Sequence, residues 1–294
     1  MNKIWLASYP KSGNTWFRLL IANLRRDSPV DINDLPHSGG MASARARFDT
    51  VMMFPSGLLT HAECDRSRPD YYRWTASMHR DEGPDDRQDT AIDNVQFSKV
   101  HDAYTQTSLG EPLLGGPSAA SGAILIVRDP RDVASSLANH GGWSIDDAID
   151  FMASPDSGFC NRTDRQPNQL RQQLGGWSRY HAGWLTQGDL PVHRVRYEDL
   201  QEDTAATLRG ALEFAGVTVT ASEIARAVDF AAFDELRGQE DRSGGFREAP
   251  RPHGAASFFR RGVAGGWHDE LTRAQRERIE LDHGGMMAGL GYTW

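Results

Sequence analysis

Ile4-Trp5-Leu6-Ala7-Ser8-Tyr9-Pro10-Lys11-Ser12-Gly13-Asn14-Thr15-Trp16 decides how this chain is read. The apolar run Ile4–Tyr9 has strand character, and the helical pattern Phe17-Arg18-Leu19-Leu20-Ile21-Ala22-Asn23-Leu24 follows it. The segment Tyr9–Trp16 must therefore turn between the two. Strand, tight turn and helix within about two dozen residues is the geometry that aims backbone N–H groups at a phosphate. Lys11 adds a cation to that nest, and the hydroxyls of Ser12 and Thr15 add hydrogen bonds. Trp16 offers a flat face suited to a base ring. The sequence points first to a nucleotide-phosphate site.

The totals bound what such a site can belong to. A chain of 294 residues with 39% hydrophobic content, 29 Gly and 14 Pro is a loop-rich globular protein, long for one domain but compatible with one that carries insertions. A net charge of −8 disfavours a general nucleic-acid binder, which needs a broad basic surface. Any polyanion must be met by local Lys and Arg groups. Cys64 and Cys160 lack metal-ligand spacing, nothing in the sequence supports a disulfide between them, and a reducing compartment is the reading. No apolar run approaches the roughly 18 residues of a membrane span, and Met1-Asn2-Lys3 enters a strand at once without a signal peptide. A cytoplasmic protein with no membrane partner is expected.

Along the chain, residues 3–9 read as a buried strand and 13–25 as a helix with Trp16, Leu20 and Leu24 on one stripe. Pro29 to about Thr50 is turn-rich without a clear period. Val51 to Asn94 turns polar, and reads as a surface excursion with short helices: a lid, a substrate-facing insertion or a merely solvated loop. Val95–His101 alternates as a strand. Glu111 to Gly122 is a loop, and Ala123–Val127 is an apolar central strand followed by a helix from Pro130 to about Asn139, with Val133 and Leu137 inward. Ile145–Met152 and Gln169–Leu185 read as helices, the latter anchored by Leu170, Leu174, Trp177 and Trp184. Pro191–Tyr197 is another strand. Asp199 is placed as the cap of a helix closed by Gly216. Thr220 with Glu223, and Thr272 with Gln275, mark capped helices. Gly238 to Ala256 reads as a loop. Alternating strands and helices imply one α/β domain over 1–294, P-loop-like, with a central parallel sheet flanked by helices.

In such sheets ligands gather at the carboxyl ends of the strands. Lys11, Lys99 with His101, Arg128 and Tyr197 all stand at strand ends. Each alone is explained by packing or ion pairing; together they place cations, a titratable base and a phosphate turn on one rim. The turn is not a Walker loop, because Lys11 precedes Gly13 and no upstream Gly stands at the required spacing. A dinucleotide fingerprint and a Gly-x-Ser-x-Gly elbow are also absent. The histidines lack ligand spacing, and no metal is expected.

Taken in order, these pieces resemble the sulfotransferases that use 3′-phosphoadenosine 5′-phosphosulfate (PAPS), in particular their cytosolic type. Tyr9-Pro10-Lys11-Ser12-Gly13-Asn14-Thr15-Trp16 is similar to the family's 5′-phosphosulfate loop. Ile126–Ser136 resembles the 3′-phosphate motif, with Arg128 and Ser136 at the family's spacing. Lys99-Val100-His101 is similar to the segment carrying the catalytic base. Tyr197-Glu198-Asp199-Leu200 resembles the element whose Tyr approaches the adenine. Arg260-Arg261-Gly262-Val263-Ala264-Gly265-Gly266-Trp267 looks like the loop that wraps the 3′-phosphate. Three departures stand out: Asn14 in place of a Thr, Arg261 in place of Lys, and Gly266 in place of Asp. Phe233 resembles a second adenine-contacting aromatic, though a core Phe on a short helix reads equally well.

The resemblance implies a sulfotransferase (EC 2.8.2 type) moving a sulfuryl group from PAPS to a hydroxyl, or less readily an amine, of a small-molecule acceptor, with adenosine 3′,5′-bisphosphate (PAP) as product and no metal. His101 would be the general base, Lys11 would stabilise the leaving phosphate, and Lys99 would assist at the sulfuryl oxygens. Lys11, Ser12, Gly13, Asn14 and Thr15 would bind the 5′ side; Arg128, Ser136, Arg260, Arg261 and Gly262 the 3′-phosphate; Trp16, Tyr197 and Phe233 the adenine. An insertion at about 30–94 would face the acceptor, and a loop at about 238–266 would close over the nucleotide. The competing reading is a P-loop-type nucleotide or small-molecule kinase, which needs a Walker lysine and a Mg²⁺-binding carboxylate.

Overall fold

Strands buried on both faces need near-continuous apolar runs, and two segments of the chain have them. The computed structural model, which describes residues 2–35, 41–77, 92–249 and 256–293, places them at the centre of its sheet. In chain order the elements are β1 (Asn2–Ser8), α1 (Asn14–Ala22), α2 (Arg45–Met52), α3 (His61–Ser77), β2 (Val95–Val100), β3 (Gly122–Val127), α4 (Pro130–Gly141) and α5 (Ile145–Ala153). They continue with β4 (Gly158–Phe159), β5 (Gln172–Gln173), α6 (Trp177–Thr186), β6 (Val192–Arg196), α7 (Tyr197–Glu202), α8 (Thr204–Phe214), α9 (Ala221–Phe230), α10 (Phe233–Ser243), α11 (Trp267–Glu270) and α12 (Arg273–Gly289).

Among the described residues four strands form a parallel sheet in the order β2-β1-β3-β6. β1 and β2 pair in register from Asn2 opposite Val95 to Ala7 opposite Val100. The chain leaves β1 for a neighbour on one side and returns to one on the other, so the order reverses at β1. The carboxyl end of that strand is the switch point where open α/β sheets take their ligands. β3 is buried throughout, as its run of Ala123–Val127 requires. β2 is buried too, including Gln96, Ser98 and Lys99, so its alternation marks two different covered faces rather than one wet one.

Contacts gather the described residues of 1–9, 36–125 and 155–194 into one compact unit, and those of 10–35, 126–154 and 195–294 into another. The first holds the body of the sheet with α2, α3 and α6. Its core is aromatic: Trp5 meets the edge of Tyr72 at 5.2 Å, Tyr71 meets Phe48 at 5.2 Å, and Trp177 and Trp184 are fully buried. The second holds α1, α4, α5 and α7–α12, closing over Phe17, Val133, Leu137, Leu208, Ile224 and Ile279.

Several expected boundaries move, each for a local reason. Residues 61–77 are not a surface excursion. Their α3 is a 17-residue helix that buries Arg68, Tyr71 and Tyr72, and its apolar period is masked by the buried charges Asp65 and Arg68. The turn-rich reading of 29–50 misses the start of α2 at Arg45. The helix expected from Gln169 begins only at Trp177, because Gly175 and Gly176 take φ of 69° and 82° and a short strand precedes them. Asp199 lies within the first turn of α7, and the cap of α8 is Asp203, whose side chain accepts from Ala206 N. Helix α10 runs to Ser243, where Gly244 in the left-handed region ends it, so the loop expected from 238 starts later. The capping boxes Thr220/Glu223 and Thr272/Gln275 are both formed. Cys64 and Cys160 are free thiols. No helix of the described residues is long and apolar enough to cross a membrane. Residues 36–40 and 78–91 of the expected insertion, and 250–255 of the expected C-terminal loop, lie outside the described residues.

Candidate active site

The turn after β1 is built from backbone. Lys11 has φ 69° and Gly13 φ 101°, a left-handed pair that only Gly adopts at no steric cost. A Cβ at Gly13 would lie 2.5 Å from Tyr197 Cδ2, so the ring of Tyr197 is seated directly on that glycine. Gly13 O accepts from Phe17 N at 3.0 Å and opens α1, whose N-terminus carries no side-chain cap. The first N–H groups of a helix have no partner within it, and with the helix dipole they favour an anion at this end. Ser12 is fully buried, and its Oγ has no hydrogen-bond partner among the described residues. A buried orphan hydroxyl beside an uncapped helix fits a phosphate oxygen as its missing partner.

Arg128, just past β3, is laid against this turn. Its Nη1 donates to Lys11 O at 3.3 Å and its Nη2 to Val263 O at 3.0 Å, and the guanidinium stands 4.2 Å from the centre of the Tyr197 ring. Burial raises the Tyr197 phenol above its ordinary range, with Arg128 pulling the other way. Trp16 donates its Nε1–H to Ala231 O at 3.0 Å and meets Tyr197 edge to face at 5.7 Å. Thr15 is half-buried, and Asn14 is buried on the first turn of α1. Ser136 is half-buried on α4, one turn beyond Asp132.

Acidic and amide side chains fix the C-terminal loop over these groups. Glu240, itself buried, accepts from Phe258 N at 2.7 Å and Phe259 N at 2.9 Å. Asp132 accepts from Gly265 N at 2.8 Å and Trp267 N at 2.9 Å. Burial raises the Asp132 carboxyl, while Arg128 and those two N–H groups oppose the rise. Gln201 bonds both Gly262 O and Ala264 N. So pinned, the loop sets the Phe258 ring 3.9 Å from Lys11 Nζ. Gly262, at φ 62°, is covered by Phe233, whose ring would lie 2.1 Å from a Cβ there. Arg260 forks onto Glu270, and Arg261 reaches Asp269 at 3.0 Å and Glu270 at 3.1 Å. Although partial burial works against it, hydrogen bonding led by Arg260 holds the Glu270 carboxyl down at about 2. The two carboxylates that meet Arg261 stand three and four residues after Gly266.

The base candidate belongs to the first unit. His101 follows β2 and is half-buried, with Nδ1 2.8 Å from Ser8 O. A carbonyl only accepts, so Nδ1 carries the hydrogen and Nε2 is the lone-pair nitrogen of the neutral ring. Lys99, two residues earlier, is buried. The next residue, Asp102, is wholly buried and paired with wholly buried Arg68 at 2.6 and 3.1 Å. Arg68 also donates to Arg171 O at 2.9 Å and Tyr72 Oη at 2.9 Å, and Asp102 accepts from Gln173 N at 2.9 Å. The strand end that presents His101 is therefore held by a filled polar network.

The sequence model of the sulfotransferase domain family matches residues 1–291. The chain belongs to the sulfotransferase domain family. It is 25% identical over 174 residues to the mouse protein sulfotransferase 2A2, a match covering 58% of each chain. It is 22% identical over 290 residues to cytosolic sulfotransferase 17 of Arabidopsis thaliana, covering 95% of this chain and 72% of that one. The chain thus spans little more than half of the mouse relative. Its fold is that of a mouse sulfotransferase solved with PAP (TM-score 0.58, 17% identity, 97% of this chain and 84% of the other). It is similarly that of retinol dehydratase solved with androsterone and PAP (TM-score 0.56, 18% identity, 99% and 82%).

Of the residues singled out in sequence, the second unit of this sulfotransferase-family chain brings together Lys11 to Trp16, Arg128, Tyr197 and the loop at Gly262, and joins Phe233 to that loop. His101 and Lys99 stand in the first unit. Sequence reasoning missed Phe258, Asp132, Glu240 and Gln201, which touch the loop or Lys11 from distant positions. It also missed Arg68 and Asp102. Asp102 had one signal, its place directly after the candidate base.

Proposed function

We propose that the protein transfers a sulfuryl group from PAPS to a hydroxyl of a small-molecule acceptor and releases PAP. The observation that carries the reading is the turn at Lys11–Thr15. An uncapped helix start, a buried orphan hydroxyl on Ser12 and the flanking Arg128 suit a phosphate, in a chain whose family is the sulfotransferase domain. PAPS supplies the sulfuryl group and a phosphate as leaving group. Lys11 and the N–H groups of the turn are assigned to the charge that builds on the bridging oxygen. Arg128, Ser136 and Gly262 are assigned to the 3′-phosphate together with Arg260 and Arg261, the two arginines that Glu270 also engages. Trp16, Tyr197 and Phe233 are assigned to the adenine, and the C-terminal loop to its closure.

The acceptor oxygen forms its bond to sulfur as the bond from sulfur to the bridging phosphate oxygen breaks. The proton released by the hydroxyl passes to His101 Nε2, the nitrogen left basic by the Ser8 contact. Lys99 is assigned to the sulfuryl oxygens. The alternative of a kinase gains no Walker lysine from the structure. Thermal-shift titration separates the two: PAP should raise the melting temperature at micromolar concentration and Mg-ATP should not. Stabilisation by Mg-ATP alone would overturn the reading.

A further inference from the structure

A cavity of about 420 Å³ in the first unit has no part in the nucleotide assignments above. Its volume lies within the roughly 300–1,000 Å³ of small-molecule sites. Its wall begins at Ala103, two residues after His101, and a chain spans at most ~3.6 Å per residue. The cavity therefore starts within about 7 Å of chain from the candidate base. The segment is fixed there, since Ala103 N donates to Gln173 O at 2.7 Å and Trp184 Nε1 to Asp102 O at 3.1 Å.

The chemistry of the lining is polar. Apolar contact is limited to Ala103, Pro155, Leu174 and the ring of Tyr104, whereas Asn161, Gln173, Asp156 and two arginines offer hydrogen bonds. The two arginines differ. Arg171 is engaged, its Nε donating to Asp65 at 3.1 Å. Arg179 is exposed on the first turn of α6 and makes no ion pair among the described residues. A planar guanidinium left available in a cavity matches a carboxylate, which it binds through two parallel hydrogen bonds. Asp156 accepts only, so it suits the hydroxyl hydrogens of a ligand rather than a second anion. Tyr71 and Tyr72 of α3 are packed in the core at 2% and 1% exposure and do not line this cavity. A flat apolar acceptor would draw on little beyond Ala103, Pro155, Leu174 and the Tyr104 ring, whereas a polar one can bond several of these side chains at once.

We propose that this cavity takes the acceptor, and that the acceptor is a polyhydroxylated compound bearing a carboxylate, an acidic sugar in its simplest form. Arg179 holds the carboxylate, and Asp156, Asn161 and Gln173 bond the hydroxyls. The proposal rests on the sulfuryl-transfer reading above, and its test keeps the two apart. PAP binding to the full chain is measured first by calorimetry; its absence overturns the transfer reading and this one with it. Once PAP binding is established, labelled PAPS is offered to the nucleotide-free chain with a uronic-acid oligosaccharide, its neutral carboxyl-reduced counterpart and a simple phenol. Label should pass to the acidic oligosaccharide with kcat/KM at least tenfold above that for the neutral one. Arg179→Gln should remove that preference, roughly tenfold, through KM rather than kcat, with PAP affinity and melting temperature unchanged, and Arg179→Lys should restore part of it. Transfer to the phenol alone, equal use of acidic and neutral sugars, transfer to none of the three, or a preference untouched in Arg179→Gln would overturn the proposal while leaving PAP binding intact.

Discussion

The turn at Lys11–Thr15 and the Arg68–Asp102 cluster both prepare the chain for charge, and they are built by opposite means. The turn uses backbone: two positive φ angles, a helix start without a cap, and a ring resting on a glycine. The cluster uses two charged side chains, Arg68 of α3 and Asp102 past the end of β2, paired in full burial and completed by Arg171 O and Gln173 N. A backbone site needs particular residue types in a row. A side-chain cluster needs only that distant residues meet. One therefore writes a local signature and the other writes none.

The largest effect is expected beside the cluster. His101→Ala should lower the rate of transfer by ~10²–10⁴-fold, with PAP affinity kept, in single-turnover assays. Undiminished turnover would remove His101 from the base role and leave Asp102 with a neighbour of no special kind. Breaking the cluster itself comes next. Arg68→Ala strands a buried carboxylate and should cost about 3–5 kcal/mol in denaturant unfolding. The double change Arg68→Met with Asp102→Leu should recover much of that loss, because two well-packed apolar groups leave no orphan charge. If the double variant is as unstable as the single one, the pair does more than satisfy itself.

The backbone site is tested by Gly13→Ala. A Cβ at φ 101° and 2.5 Å from the Tyr197 ring combines dihedral strain with a clash, worth about 2–4 kcal/mol together. PAP affinity should fall with stability, since the same residue shapes the turn; a variant that binds PAP normally would show that the turn tolerates another backbone path. The smallest effect belongs to Glu270, which sits near the surface with Arg260 and Arg261. Its carboxyl is held at about 2, below the ordinary 4.5, so the stabilisation is present above pH 4.5 and lost as pH falls through about 2. Melting temperatures of the native protein and Glu270→Gln should accordingly differ at pH 6 and converge toward pH 2. Curves that stay parallel would place the stabilisation elsewhere.

The same contrast governs what could be read in advance. The β1–turn–α1 unit, the helix begun by Asp129 and Pro130, and the capping boxes at Thr220 and Thr272 are local, and all are legible. Val133 and Leu137, expected to face inward, are fully buried. Helix α3 was hidden because its buried face contains Asp65, Arg68 and Pro69, which read as solvent or as a break until Asp102 and Arg171 arrive from elsewhere. The late start of α6 followed from two adjacent glycines whose positive φ no periodicity records. The ring of Phe258 against Lys11 joins ends of the sequence that share no pattern. The signature motifs reveal which groups await a nucleotide, and leave dark the cavity that Tyr104, Asp156 and Arg179 build from three segments.

Asp132 receives the N–H groups of both Gly265 and Trp267, so one carboxylate on α4 measures the chain at that point. A residue inserted or deleted between 265 and 267 would leave one of those donors unmet. Helix α4 and residues 262–267 therefore form a single exchangeable module: a chimaera that imports the loop from a relative should import its helix too.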